Sequence, residues 1–153
     1  MKETKRIISL FEKLYEGNPW IDVNIAHTLR CISSQQASVR ILDKSNTIWE
    51  IVNHMISWRL NVLKRISGRV IKTPDNNYFQ PVTDKSGSAW LKTVEKYKDT
   101  EEKLIEMLKQ FKAKNFSNTY SKNGLTYYEH IHGIIQHDAY HLGQIRFIMT
   151  LMK

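Results

Sequence analysis

Apolar residues recur along this chain at helical spacing, and the breaks between them divide it into a few segments. Ile7, Leu10, Phe11 and Leu14 stand at i, i+3, i+4 and i+7. The pattern stops at Gly17-Asn18-Pro19, where glycine tolerates positive φ and proline cannot extend a helix. A shorter run (Ile25, Ala26, Leu29, Ile32) and a brief piece over Ser33 to Ala37 read as a broken helical connector. At Thr47-Ile48-Trp49-Glu50 the threonine can cap the third helical amide while the glutamate reaches back, so a second main helix is predicted from Thr47. Its stripe is Ile48, Ile51, Val52, Met55, Val62 and Ile66, and Gly68 is placed to end it.

From Gly68 to Gly87 there is neither a helical nor a strand period, only Pro74, Pro81 and the polar run Asp75-Asn76-Asn77, so this is a long connection. Ser88 is the expected cap of a third helix with Leu91, Val94, Tyr97, Leu104, Leu108 and Phe111 on its stripe. Asn115 to Gly124 is turn-rich, and Thr126-Tyr127-Tyr128-Glu129 repeats the capping pattern ahead of a fourth helix. That helix carries Ile131, Ile134, Ile135, Leu142, Ile145, Ile148 and Met149. Four main helices without a convincing strand predict an all-α protein, a four-helix bundle with a long crossover connection, in a single domain over residues 1–153.

At 153 residues the chain can bury roughly two-thirds of its unfolded surface, so folding needs no metal or disulfide, and a metal site here would serve function. Cys31 is the single cysteine. The opening MKETKRIISLFEKL lacks the apolar run of a signal peptide, and no stretch approaches the ~20 apolar residues of a membrane span, so a cytoplasmic protein is expected. The net charge of +8 raises the question of nucleic acid, but the lysines and arginines are dispersed and alternate with carboxylates, the pattern of solvated helix faces. Nucleic-acid binding is therefore not expected. Apolar residues between Trp20 and Leu42 without an obvious intrachain partner predict a homodimer.

The histidines carry the candidate chemistry. His137 and His141 are four apart on the last helix, one turn above each other on one face, which suits two ligands to one ion and equally a hydrogen-bonded surface pair. His54 lies at the edge of the second helix's stripe, where it can meet them or simply bond a carbonyl. The pair is half of the HExxH signature, but Asp138 stands where the metalloprotease glutamate would, one methylene shorter, and that reading is rejected. His130 shares the face of His137 at about 10 Å along the axis, too far to share an ion. His132 and His27 read as surface or capping residues. Glu101 falls on a core-facing stripe as a fourth ligand or a base, or more simply as one half of a salt bridge or a rim residue.

The segment His137-Asp138-Ala139-Tyr140-His141-Leu142-Gly143-Gln144-Ile145, with Ile48-Trp49-Glu50-Ile51-Val52-Asn53-His54 and Trp58-Arg59 before it, resembles the DinB-like family of bacterial metal-binding bundles. Glu16-Gly17-Asn18-Pro19-Trp20, Gln36-Ala37 and Trp90 extend the likeness over nearly the whole chain. The DNA polymerase that shares the name is unrelated. The resemblance implies a four-helix bundle with a long crossover and a divalent ion held by His54, His137 and His141, with members that include metal-dependent thiol transferases. Three imidazoles leave an ion open to water or substrate, the layout of a catalytic site. Gln144 can orient a ligand or an imidazole or simply pack between helices beside Gly143, and Tyr140 is expected to pack. The function so implied is a metal-dependent enzyme, a thiol S-transferase or a small-molecule hydrolase, acting on a small-molecule substrate or low-molecular-weight thiol. The alternative is a non-catalytic metal- or ligand-binding stress-response protein. Imidazole suits Zn, Ni, Fe and Cu alike, so the expected cofactor is a divalent ion (Zn, Ni, Fe or Mn) whose identity the sequence does not choose.

Overall fold

The structure is a computed structural model describing residues 2–152. Six α-helices follow one another: α1 (Glu3–Tyr15), α2 (Ile25–Arg30), α3 (Ser34–Ser38), α4 (Ile48–Ile66), α5 (Gly87–Gln110) and α6 (Tyr127–Leu151), with a 3-10 turn at Ala113–Asn115. Among the described residues there is no strand, only an isolated bridge between Thr119 and Thr126. Among the described residues no helix is long and apolar enough to cross a membrane.

Helix ends follow local chemistry. Thr47 and Thr126 each accept from the third helical amide while Glu50 and Glu129 reach back, so both predicted capping boxes form, and Ser33 with Gln36 makes a third at α3. Gly68 ends α4 with φ +85°, its N–H on the Arg65 carbonyl and that of Arg69 on Lys64. The cap of α5 is Ser86, not Ser88, because the Ser86 hydroxyl accepts from Ala89 N. Leu91 is 68% exposed, against expectation. The face of α5 that packs runs through Trp90, Tyr97, Glu101, Leu104 and Leu108, and Leu91 lies about 100° around the helix from Trp90. Leu10, also assigned to a stripe, is half exposed beside the buried Phe11.

Side-chain pairs give the helix directions. Trp49 bonds Thr93 and Arg59 bonds Thr100, so α4 and α5 run parallel, and the connection between them must return the length of the bundle. His54 of α4 meets His137 of α6, while Val62 and Ile66 lie with Ile131 and Ile134, so those two helices are antiparallel. Tyr15 stacks on Tyr97, and Glu3 meets Tyr128, which places α1 antiparallel to α5 and parallel to α6.

The core is two apolar layers with a polar one between. One layer holds Met55, Tyr97 and Leu142, and the other holds Val62, Leu104 and Ile134. At the height between them each of three helices contributes a charged residue: Arg59, Glu101 and Asp138, all buried. The connector is only partly open, since Ile25, Ala26, Leu29, Ile32 and Ala37 are buried while Trp20, Ile21, Val39 and Leu42 are exposed.

Candidate metal centre

The capping box that starts α4 also fixes where His54 falls. Arg40 reinforces it with two bonds to the Glu50 carboxylate, at 2.9 and 3.0 Å. Antiparallel packing of α4 on α6 then brings His54 against the His137–His141 face. His54 Nε2 is 2.9 Å from His137 Nε2, which is 3.2 Å from His141 Nε2, and all three candidate ligand atoms lie within 4.8 Å of one another. Tetrahedral ligands at ordinary metal–nitrogen bond lengths would stand about 3.3 Å apart. His54 and His141 are buried, and His137 faces the open side with 23% of its side chain exposed.

Proton counting tests whether these residues suit a cation. His54 Nδ1 lies 2.7 Å from the Asn77 carbonyl, which only accepts, so Nδ1 carries the proton and Nε2 a lone pair. His141 Nδ1 lies 2.6 Å from Gln144 Oε1, with the same consequence for its Nε2. Two lone pairs therefore face His137 Nε2, whose one hydrogen could satisfy only one of them. A divalent ion accepts all three nitrogens at once, and the donor set fits it. Of the two readings open for Gln144, the contact with the His141 ring is the one the structure has. Its Nε2 donates to Tyr140 Oη at 3.0 Å, and Tyr140, expected to pack, is instead 63% exposed because its ring lies outside the core face.

Burial, with the neighbouring His137 and His141 adding to it against the carbonyl of Asn77, lowers His54 from 6.5 to about 4. Burial, then His137, lowers His141 as well. Neutral imidazoles are the ligating form. In metal-free protein the unfolded chain takes up a proton near 6.5 while folded His54 refuses it until about 4. The stability it contributes is whole above 6.5 and is lost as pH falls toward 4, an effect of roughly 3 kcal/mol over the full span. The urea midpoint of metal-free protein is expected to fall between about pH 7 and 5, above the carboxylate range, and to fall less in His54→Gln. A flat midpoint in both would contradict this.

The α4–α5 connection supplies supports that the sequence reading did not find. Asn77 and Tyr78 have φ of 51° and 65°, and this left-handed turn lets one short segment contact the site three ways. The Asn77 carbonyl holds His54, the Asn77 side chain accepts from Trp58 Nε1 at 2.9 Å, and Phe79 stacks on the His54 ring with centroids 4.0 Å apart. Aperiodic sequence gives no register, so no pattern could have placed these contacts.

Glu101 is not among the three clustered ligands; it ion-pairs with Arg59. Asp138 is fully buried with Oδ2 2.9 Å from Arg59 Nε, so it turns into the core, and Oδ1 lies 3.6 Å from His137 Nδ1. A carboxylate so placed cannot act as the exposed base of a metalloprotease. His130 stands outside the cluster against Tyr120, His132 packs on Tyr128, and His27 is exposed on α2.

A family model described as the DinB superfamily matches residues 23–145, a span that contains the three histidines, Arg59, Glu101 and Asp138. No curated protein and no solved structure matches the chain.

Proposed function

The chain belongs to the DinB superfamily, and we propose that it is a metal-dependent enzyme that holds one divalent ion through His54, His137 and His141 and transfers a small thiol to an electrophile. The observation that carries this reading is the convergence of three imidazole nitrogens, without a carboxylate in the cluster, beside a half-open His137. The ion would supply Lewis acidity, depressing the pKa of a water or thiol that it holds, and a thiol so held needs no protein base to lose its proton. Hydrolysis is helped by a carboxylate base, and the two carboxylates nearest the core side of the site are committed to Arg59. That difference favours thiol transfer over the hydrolase.

His54 and His141 are held by Asn77 and Gln144, so the chain's part is to keep two rings fixed while His137 faces the substrate side. A site closed by a fourth side chain would favour a non-catalytic role, and among the described residues the cluster contains only the three histidines. The test is thiol consumption by zinc-, nickel- and manganese-loaded protein over a panel of alkyl and aryl electrophiles, with an ester and amide panel beside it. Turnover lost in His54→Ala is expected. Absence of turnover on every panel would sink catalysis in favour of a binding role.

A further inference from the structure

Beyond His137, a groove of about 310 Å³ runs between α4 and α6 under the turn at residues 123–125. Trp58, Val62, Ile134 and Leu125 make its walls mostly apolar, and Arg65 and His130 stand at the end away from His137. From His130 to His137, and from Trp58 to Arg65, is seven residues, about 10 Å of helix.

Arg65 is buried at 8% exposure, yet among the described residues no carboxylate pairs with it. Its guanidinium lies over the rings of Trp58 and Tyr120, at 5.2 and 4.8 Å, and donates to Thr73 Oγ1 at 3.2 Å, while Nε has no partner. Tyr120 is fixed in turn, its hydroxyl bridging the N–H and carbonyl of Ile71. His130, 6% exposed and edge-on to Tyr120, also leaves Nε2 without a partner. A buried charge with no carboxylate and an unpartnered Nε, beside a buried imidazole whose Nε2 has no partner, is a costly arrangement unless something completes it. The contrast with Arg59, which has two carboxylates, is direct.

We infer that this groove binds a small monocarboxylate with an apolar body, its carboxylate on Arg65 and His130 and its other end at His137. A guanidinium fork matches a carboxylate in plane. Burial, then the neighbouring Arg65, holds His130 below its ordinary value, so it donates as a neutral imidazole and the site offers one positive charge. The one acidic residue at the rim, Glu129, already accepts from Thr126 N and Oγ1 and adds negative charge. One positive charge in apolar walls fits a monoanion better than a phosphate dianion. The inference rests on the proposed function only in assigning which end reacts, and the carboxylate end stands without the metal.

The test is calorimetric titration of zinc-loaded and of metal-free protein with phenylbutyrate, the matching phenylbutanol, and inorganic phosphate. Phenylbutyrate is expected to bind about tenfold or more tightly than the alcohol in both forms, with the preference erased in Arg65→Gln while helicity and zinc content are kept. Equal binding of acid and alcohol, tighter binding of phosphate, or no binding of phenylbutyrate at millimolar concentration would overturn the inference. So would a preference indifferent to Arg65 or seen only with zinc present, which would put the carboxylate on the ion. Should Arg65→Gln fail to fold, the wild-type comparison of acid with alcohol still decides. Failure of the metal reading leaves the metal-free titration intact.

Discussion

Alanine at His137 is expected to reduce zinc in the purified chain from about one equivalent to nearly none, with helicity retained. His137 is the hinge of the cluster, its Nε2 touching both other nitrogens at 2.9 and 3.2 Å. Without it two buried imidazoles remain on different helices. Changes to groups that only orient a ligand already weaken metal sites by roughly tenfold to a hundredfold; loss of the ligand itself should exceed that. Gln144→Ala, which frees His141 Nδ1 and leaves all three ligands, is expected inside that range. The fold should survive because both apolar layers lie outside the site. A stability readout gives a second check: zinc at a hundred times its dissociation constant should add about 2.7 kcal/mol to the wild type, and little to His137→Ala. Wild-type protein that takes up no zinc, nickel or manganese would show that the histidines are structural and remove the enzyme reading with them.

Residues whose chemistry is local were readable in the sequence. Thr47 with Glu50 and Thr126 with Glu129 announce helix starts because a cap depends on four consecutive residues, and both formed. The spacing of His137 and His141 fixes their common face, and His54 follows from the stripe it borders. Ser86 was missed for Ser88 because two serines in Ser86-Gly87-Ser88 can each cap, and only the following packing of Trp90 decides. Asn77, Tyr78 and Phe79 were invisible for a different reason: they act through left-handed backbone and a return path whose length the sequence gives but whose course it does not. Arg59 was the deepest omission. It entered only as part of the Trp58-Arg59 motif, and nothing nearby in sequence signals that its two carboxylates arrive from α5 and α6.

Replacing Arg59 by methionine is expected to destabilise the fold by about 3–5 kcal/mol at neutral pH, the cost of leaving buried charge uncompensated. Arg59 is 1% exposed, Asp138 0% and Glu101 5%, and the guanidinium also bonds Thr100 and lies 4.5 Å over the Tyr97 ring. One cation therefore serves two carboxylates. Burial raises Glu101 above its ordinary value despite the pull of Arg59. A carboxyl raised on folding gives stability that is whole below its unfolded value and is lost as pH rises through its folded value. Without Arg59 the Glu101 carboxyl should rise further, so the penalty for Arg59→Met should shrink as pH falls and protonation replaces the missing cation. Adding Glu101→Gln should recover part of the loss at neutral pH, and Arg59→Lys, which keeps charge without the planar fork, should fall between. Because Asp138 lies 3.6 Å from His137 Nδ1, the same variant should also loosen that ring and weaken zinc by about tenfold. Urea unfolding of the four proteins across pH measures the first effect and zinc titration the second. A penalty under about 0.5 kcal/mol, the range of ordinary surface changes, would show that the polar layer does not hold the helices around the site.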